Sequence, residues 1–333
     1  MNSKSLGPGQ LMASEIAQAP EVFASTVLAD QSETLSNLDL GALQAIYTVA
    51  RGSSDAVANI LSYLFMSHLK IPVTSLPPST FSVYRGVKMK GSAGLVISQS
   101  GASDDLVACA VGIKVSGGVV IALTNQPGSP VEKSADVTIP INAGPELAVP
   151  ATKSVIGSIA GGMSLLAASD PVYRDRASAA AVAMKSLATK EFPEIQNLQS
   201  GLMRASHVYV VGRGAGFGVA QEVALKLKET SALHAEAYSA SEVLHGPLQL
   251  AKNPLFIILL DTGEPESQAS LDEAEYRFHE AGGEVLRIAA PMGGDHCPTA
   301  AAAMLLYMIY PVVLKTALAM GFDPDRPSTL SKI

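Results

Sequence analysis

Short apolar runs that end at glycine- or serine-containing turns recur along the whole chain. The apolar runs predict strands at 45–50, 94–98, 119–124, 208–212, 255–260 and 284–289. Longer segments of mixed polarity lie between them and predict helices, for example from Asp104 onward. Strands that alternate with helices are typical of a parallel sheet covered by helices on both faces. The pattern therefore predicts an α/β fold.

An internal duplication organises these elements. Three segments of the first half match segments of the second half: 49–52 and 211–214, 95–101 and 257–263, and 117–118 and 282–283. The first two pairs share one offset along the sequence and the third pair has a slightly larger one, which one short insertion explains. Because the repeated unit contains strand, turn and helix, we predict two domains of the same kind, each a doubly wound parallel sheet.

Helix signals set the predicted domain bounds. Pro20 and Pro193 are each followed by glutamate and predict helix starts, since proline is favoured in the first turn. The alanine-rich segment 170–190 predicts a helix that joins the two halves. The predicted bounds are a helical extension over 1–40, a first domain over 41–185, a second domain over 186–320 and a C-terminal tail over 321–333.

The composition is that of a globular protein with a large core. Apolar residues make up 48% of the 333 residues and charged residues only 16%, which excludes a disordered chain. The net charge of −7, without any basic block, argues against a nucleic-acid partner. Cys109 and Cys297 are the only cysteines and are far apart, so we predict neither a disulfide framework nor a metal site. We expect a reducing compartment.

One long apolar stretch, from Thr299 to Leu314, could in principle be a membrane-spanning helix. It contains Pro311 and its 16 residues fall short of the ~18–20 that span a bilayer, so we predict a buried helix and no membrane partner. The first 30 residues lack the basic start and continuous apolar run of a signal peptide. We therefore expect a cytoplasmic protein.

The turn from Ser98 to Ser103 is the first candidate for chemistry. It supplies three hydroxyls, one amide and free backbone N–H groups at a predicted helix start, which suits a phosphate group. Gly52, Ser53 and Ser54 follow the preceding strand and add further hydroxyls. The alternative is ordinary helix capping by serine. The matching turn 260–266 carries three carboxylates that would repel a phosphate, so only the first half is predicted to bind one.

Lys226, Glu229 and His245 are the candidates for proton transfer. The three-residue spacing puts Lys226 and Glu229 on one helix face, where a carboxylate can move a proton beside a stabilising cation. The alternative is a solvated salt-bridge face, which Glu222 also favours. His245 lies in a predicted turn and suits general acid or base chemistry, or is merely exposed. The glycines from 212 to 218 complete no dinucleotide fingerprint, and no Walker A sequence occurs.

Four segments together resemble the SIS (sugar isomerase) domain family, especially the isomerase half of glucosamine-6-phosphate synthases. They are Ser98–Gly101, Glu146–Lys153, Ala224–Leu248 and Asp325–Lys332, and the similarity covers almost the whole chain. The resemblance implies two tandem doubly wound SIS domains, each a parallel sheet flanked by helices. It also implies that substrate and phosphate are bound by Gly52, Ser53, Ser54, Ser98, Gln99, Ser100, Ser103, Val149 and Ala151.

The resemblance also implies roles in catalysis. Glu229 would shuttle a proton between C1 and C2 of an open-chain sugar phosphate, and Lys226 would assist it. His245 would open the sugar ring in a neighbouring subunit's site, which implies a homodimer. Lys332 would close over the open-chain sugar and engage its carbonyl. No metal or redox cofactor is expected, and the partner is a small sugar phosphate.

Departures from the family pattern favour one reaction. The chain begins Met1-Asn2-Ser3 and has no cysteine before Cys109, so we expect no glutaminase activity. An isomerase site without an ammonia source is expected to run as a deaminase, from glucosamine 6-phosphate to fructose 6-phosphate and ammonia. Ala151 and Ala102 stand where the family has serine and glutamate, which leaves the exact substrate open. Three alternatives remain. They are a fructosamine-6-phosphate deglycase, a galactosamine-6-phosphate deaminase and a non-catalytic sugar-phosphate sensor.

Overall fold

The computed structural model of the chain describes residues 7–36, 38–291 and 297–332. Its strands within these residues are β1 Ala45–Val49, β2 Val73–Ser75, β3 Ser92–Ser98, β4 Val119–Thr124, β5 Val137–Pro140, β6 His207–Gly212, β7 His234–Ser239, β8 Phe256–Asp261 and β9 Glu284–Ala289. Its α-helices are α1 Gln10–Val27, α2 Ser32–Ser36, α3 Ser53–Leu69, α4 Ser79–Ser82, α5 Asp104–Val115, α6 Pro130–Ser134, α7 Lys153–Ser169, α8 Pro171–Leu187, α9 Gln196–Arg204, α10 Ala215–Ser231, α11 Pro265–Ala281 and α12 Pro298–Ala319. Short 3₁₀ helices lie at Leu40–Ala42, Pro193–Ile195, Glu242–His245 and Pro247–Lys252.

The strands form two parallel sheets. One has the order β2-β1-β3-β4-β5 and the other the order β7-β6-β8-β9, and every strand pair is parallel. All residues of β3 and β8 are buried, as expected for central strands of a sheet with helices on both faces. The predicted α/β fold with two parallel sheets is confirmed.

The chain divides into two compact units. The first unit comprises 21–144 and 154–185 and carries β1 to β5. The second unit comprises 186–332 together with 7–20 and 145–153, and carries β6 to β9. The predicted domain bounds of 41–185 and 186–320 stay predictions; the second unit also takes in two segments from earlier in the chain.

The duplication extends to helix ends and backbone angles. Both ends of α10 match those of α3 at the same offset that relates the repeated Arg-Gly pairs. The residue before each helix is a glycine in the same unusual conformation, Gly52 at φ 56°, ψ −131° and Gly214 at φ 57°, ψ −132°. Glycine adopts positive φ without steric cost, whereas other residues do not. The Arg-Gly pair repeated in the sequence therefore marks a turn geometry that occurs in both units.

The six predicted strands are all present, but the edge strands β2, β5 and β7 were not predicted. β2 has three residues, and β7 has the mixed sequence HAEAYS, so neither is a recognisable apolar run. The prediction of a helix start at Pro20 is wrong, because Pro20 lies inside α1. Buried apolar residues on both sides of it, Ile16 and Phe23, hold the helix continuous. A 3₁₀ helix does begin at Pro193, and α8 confirms the helix over 170–190.

α12 is a core helix of the second unit. The expectation that its apolar stretch is too short to span a bilayer is wrong, since the helix runs through Pro311 for 22 residues and meets the length and hydropathy criteria of a membrane span. Its burial is as predicted, because 78% of that apolar window is buried inside the protein. An apolar surface on all sides is typical of a helix in the core of a protein. α12 packs against α10, which carries the proton-transfer candidates.

Candidate functional site

The strand order of the first unit reverses between β1 and β3. The chain passes from β1 outward to β2, and then from β3 to β4 and β5 in the opposite direction. In parallel sheets, ligands bind at the carboxyl ends of the strands on either side of such a reversal. The two predicted phosphate-binding segments lie there, because Gly52–Ser54 follows β1 and Ser98–Ser103 follows β3, and the two strands are paired.

The turn after β3 is held in shape by its own hydroxyls. The Oγ of buried Ser98 accepts a hydrogen bond from the Gly101 backbone N–H at 3.0 Å, and Ser100 Oγ accepts one from Ala102 N–H at 3.4 Å. Gly101 has φ +60°, and a Cβ there would lie 2.2 Å from Ser129 Oγ. The side chains of Gln99 and Ser100 are half-buried at this turn. Ser98 therefore shapes the turn, whereas Gln99 and Ser100 stay partly exposed.

Arg51 joins the two turns and was missed by sequence reasoning. Its Nη2 donates to Ser103 Oγ at 2.8 Å and lies 2.8 Å from Asp105 Oδ2. Within residues 38–291, the Ser103 side chain caps no backbone N–H of α5, so ordinary capping does not account for this serine. The guanidinium is half-exposed and is a suitable donor for a phosphate oxygen. The only signal in the sequence was the repeated Arg-Gly pair.

The second unit fills the corresponding position with a carboxylate. A Cβ on Gly214 would lie 2.5 Å from Glu264 Oε2, which also accepts a hydrogen bond from Ser267 Oγ at 3.1 Å. Burial raises the pKa of Glu264. Asp261 in the same turn accepts a hydrogen bond from Arg287 Nη2 at 2.7 Å. This turn already holds an internal anion, which supports the prediction that only the first half binds phosphate.

A buried charge cluster lies on α10. Lys226 is 1% exposed, and its Nζ donates to Glu229 Oε2 at 2.6 Å and lies 3.4 Å from Glu222 Oε1. Glu222 is fully buried, and its Oε1 accepts a hydrogen bond from the Tyr310 hydroxyl on α12 at 3.0 Å. The alternative of a solvated salt-bridge face is therefore excluded for Lys226 and Glu222. The sequence analysis placed Glu222 beside Lys226 only on a solvated face, and it did not identify Tyr310.

The cluster keeps its ammonium charged. Burial lowers the pKa of Lys226, but the Glu222 and Glu229 carboxylates oppose this and the net shift is upward. Burial and the neighbouring Glu222 carboxylate raise the pKa of Tyr310 well above its usual value, so its phenol is a neutral hydrogen-bond donor. Lys226 therefore acts near neutral pH as a fixed cation and donor. The acceptor of a proton in this cluster is a carboxylate.

Glu229, at one end of this cluster, lines a cavity that we call the tail cavity. The tail cavity lies between the C-terminal end of α10 and residues of the tail from Gly321 to Leu330, and its volume is about 610 Å³. This volume is within the usual range for ligand sites, about 300–1,000 Å³. The Glu229 side chain is 24% exposed, whereas Lys226 behind it is sealed from solvent. The carboxylate is thus accessible while its partner is not.

Lys332 lies in the segment that follows the tail cavity along the chain. Its Nζ donates to the Ala148 carbonyl at 2.6 Å and lies 3.7 Å from Oε2 of buried Glu146. The Val149 backbone N–H donates to the Asp325 carbonyl at 3.2 Å. The tail thereby meets the segment that contains Val149 and Ala151, as a shared binding role requires. The engagement of a sugar carbonyl by Lys332 stays a prediction.

His245 is exposed and is not among the described residues that line the tail cavity. It ends the 3₁₀ helix Glu242–His245. Its predicted contribution to a neighbouring subunit's site stays a prediction. Among residues 7–36, 38–291 and 297–332, no group of three or more His, Cys, Asp or Glu side chains is arranged to hold a metal ion.

Comparison with known proteins finds one matching domain family and similar curated proteins. The SIS domain family matches residues 43–168 and 201–301. The glutamine–fructose-6-phosphate aminotransferase (isomerizing) of Pyrobaculum aerophilum is 30% identical, over 98% of this chain and 57% of that protein. The corresponding protein of Zymomonas mobilis is 28% identical, over 89% of this chain and 53% of that protein. The chain thus spans a little over half the length of these curated relatives.

Solved structures with the same fold match the chain over almost its full length. A candidate phosphosugar isomerase of Silicibacter pomeroyi is 32% identical, with a TM-score of 0.83 over 95% of this chain and 99% of that one. The C-terminal domain of glucosamine-fructose-6-phosphate aminotransferase of Francisella tularensis is 21% identical, with a TM-score of 0.81 over 98% and 100%. Glucosamine-6-phosphate deaminase of Thermotoga maritima is 21% identical, with a TM-score of 0.74 over 97% and 99%. The last two likenesses concern the fold alone.

Proposed function

This chain belongs to the SIS domain family, and on that premise we propose that it is an amino-sugar phosphate deaminase. The proposed reaction converts glucosamine 6-phosphate and water to fructose 6-phosphate and ammonia. Curated relatives that act on fructose 6-phosphate in an isomerizing transamination support an amino or keto hexose phosphate as substrate. Deamination needs only the proton-transfer groups and water, whereas synthesis of the amino sugar also needs a supply of ammonia.

The observation that carries the proposal is the pair formed by Lys226 and Glu229. Glu229 is accessible from the tail cavity, and the buried Lys226 ammonium holds its carboxylate at 2.6 Å. A base whose rotamer is fixed by a buried partner loses little entropy when it meets the C–H bond that it must break. The adjacent cation also stabilises negative charge as it develops in the enolamine.

The proposed steps balance without a cofactor. The turns after β1 and β3 hold the phosphate group, and His245 assists ring opening to the open-chain aldehyde. Glu229 takes the C2 proton, the electron pair forms the C1–C2 double bond of the enolamine, and the C1 oxygen takes a proton from water. Return of the C2 proton from Glu229 to C1, with loss of one N–H proton to water, gives a ketimine. Water adds to the C2 carbon of the ketimine, its oxygen becomes the ketone oxygen, and the nitrogen leaves as ammonia.

The proposal is tested by incubating the purified protein with glucosamine 6-phosphate and following ammonia and fructose 6-phosphate together. We expect the two products in equal amounts, and much slower reaction of unphosphorylated glucosamine, because the phosphate supplies remote binding energy. Galactosamine 6-phosphate and fructosamine 6-phosphates in the same panel distinguish the epimer-specific deaminase and the deglycase. Thermal stabilisation by these sugars without turnover of any of them would overturn the enzyme assignment in favour of a sensor.

Replacement of Arg51 by methionine is expected to weaken phosphate binding. A hydrogen bond to a charged group contributes about 1.5–3 kcal/mol, so we expect KM for glucosamine 6-phosphate to rise at least about tenfold. We expect kcat to change little, since Arg51 bonds to Ser103 at the phosphate turn and not to the proton-transfer cluster. Steady-state kinetics measures both. Arg85→Met, an exposed arginine of the same unit, is the matched control, and an equal rise in KM for both variants would contradict the role.

A further inference from the structure

Tyr310 lies at the far end of the buried cluster from Glu229. We propose that Tyr310 is a positioning residue for proton transfer and acts on Glu229 through Glu222 and Lys226. The proposal deepens the proposed function and rests on it, since Glu229 is the base of that reaction. Tyr310 touches no reacting atom in this scheme. It determines how strongly the Lys226 ammonium interacts with Glu222 and how strongly it interacts with Glu229.

The geometry forms a continuous chain of four polar groups. The Tyr310 hydroxyl donates to Glu222 Oε1 at 3.0 Å, that same oxygen lies 3.4 Å from Lys226 Nζ, and Nζ donates to Glu229 Oε2 at 2.6 Å. The contact of the ammonium with Glu229 is therefore the shorter of its two carboxylate contacts. Because the Tyr310 hydroxyl donates a hydrogen bond to Glu222, the Glu222 carboxylate interacts less strongly with the Lys226 ammonium. The ammonium then interacts more strongly with Glu229.

Burial makes the loss of a hydrogen-bond partner in this chain energetically costly. Tyr310 and Glu222 are fully buried and Lys226 is 1% exposed, so water does not replace a lost partner. Hydrogen bonds to ions are stronger in a low-dielectric interior than in water, and neighbouring bonds in a chain affect one another. A change at the phenol is thus transmitted to the accessible Glu229 carboxylate through the three contacts of this chain.

Other charged groups face the cluster and its mouth. Glu146, paired with Lys332, also bears electrostatically on Tyr310. The tail cavity beside Glu229 is lined by Lys228, Asp323 and Arg326. Replacing Tyr310 by phenylalanine removes the phenol hydroxyl and changes none of these charged side chains. The difference between variants therefore isolates the contribution of the phenol.

Tyr310→Phe is the test, and Tyr307→Phe on the same helix is the matched control. Without the phenol, Glu222 interacts more strongly with the Lys226 ammonium, and Glu229 loses part of the positive charge beside it. We expect the acid limb of the kcat/KM profile to move to higher pH and kcat at neutral pH to fall by about tenfold, the rate equivalent of one hydrogen bond to an ion. KM for glucosamine 6-phosphate is expected to stay unchanged. Tyr307→Phe is expected to move none of these values.

A second readout does not depend on turnover. Carbon-13 NMR of protein labelled at the glutamate carboxyl carbons follows the titration of Glu229, assigned by its loss in Glu229→Gln. We expect Tyr310→Phe to raise the midpoint and Glu222→Gln to lower it, since a neutral Glu222 side chain leaves the ammonium to Glu229 alone. In the Glu222→Gln background, Tyr310→Phe is expected to add no further shift.

The two readouts separate the possible failures. An unchanged Glu229 titration and an unchanged acid limb in Tyr310→Phe would overturn the positioning role. Equal shifts in Tyr307→Phe would also overturn it, because they would reflect general loosening of α12. If the wild-type protein turns over no sugar phosphate, the deaminase proposal fails, and the NMR titration still decides whether Tyr310 acts on Glu229.

Discussion

Replacement of Glu229 by glutamine is expected to lower kcat for deamination by about 10²–10⁴-fold, the usual contribution of a general base. The amide has nearly the same shape and still accepts the hydrogen bond from Lys226, but it does not take a proton from C2. Exchange of deuterium from solvent into C1 and C2 should stop, while binding of the phosphorylated sugar persists. Mass spectrometry of the recovered sugar measures the exchange, and calorimetry measures the binding.

The matched control is Glu273→Gln, an exposed glutamate on α11. Its kinetics should equal those of the wild-type protein. Normal exchange in Glu229→Gln would show that another group is the base. A loss of both binding and exchange, together with a lower melting temperature, would instead assign Glu229 a structural role.

Replacement of Lys226 by methionine is expected to remove activity and to destabilise the second unit by about 3–5 kcal/mol, as when one member of a buried ion pair is deleted. The reason is that Lys226 is 1% exposed between two carboxylates, and fully buried Glu222 would lose its cation. Urea unfolding followed by circular dichroism measures the change. In Lys226→Met, the second unit should unfold at a lower urea concentration than in the wild-type protein.

Lys228→Met is the control for this prediction, because Lys228 lies on the same helix and is exposed. Its unfolding transition should stay within about 0.5 kcal/mol of the wild type, as for most surface substitutions. The double variant Glu222→Gln, Lys226→Met removes a buried carboxylate along with the ammonium and should regain part of the stability. Equal transitions for Lys226→Met and Lys228→Met would contradict the buried cluster.

The sequence predicted the turn Ser98–Ser103 as a phosphate-binding candidate but did not reveal Arg51 beside it. The turn at Ser98–Ser103 was identified by its hydroxyls and by its place after an apolar strand, and the strand order now places it beside Gly52–Ser54. Arg51 was missed because a single arginine before a glycine has no characteristic spacing. Its link to Ser103 spans 52 residues of sequence, which no local pattern reports.

The pair formed by Lys226 and Glu229 shows the limit of spacing arguments most clearly. Residues three apart share a helix face whether that face is exposed or buried. Only the packing of α12 on α10 decides that Lys226 and Glu222 are sealed, and it also supplies Tyr310 from 88 residues further along the chain. The chemical character of the pair changes with that burial, from a screened surface ion pair to a cation held against two carboxylates.

The sequence by itself determined the α/β class, the duplication and the central strands, because these follow from apolar periodicity and from the constant offset between matching turns. The tertiary structure decided that the second repeat carries an internal carboxylate at its matching turn. In the first unit Gly52 and the Ser98 turn follow two paired strands, whereas in the second unit the Glu264 carboxylate lies close to Gly214. The difference depends on the direction of the Glu264 side chain, which reaches from one turn to the other. A local sequence pattern carries no information on contacts between segments that are distant in sequence.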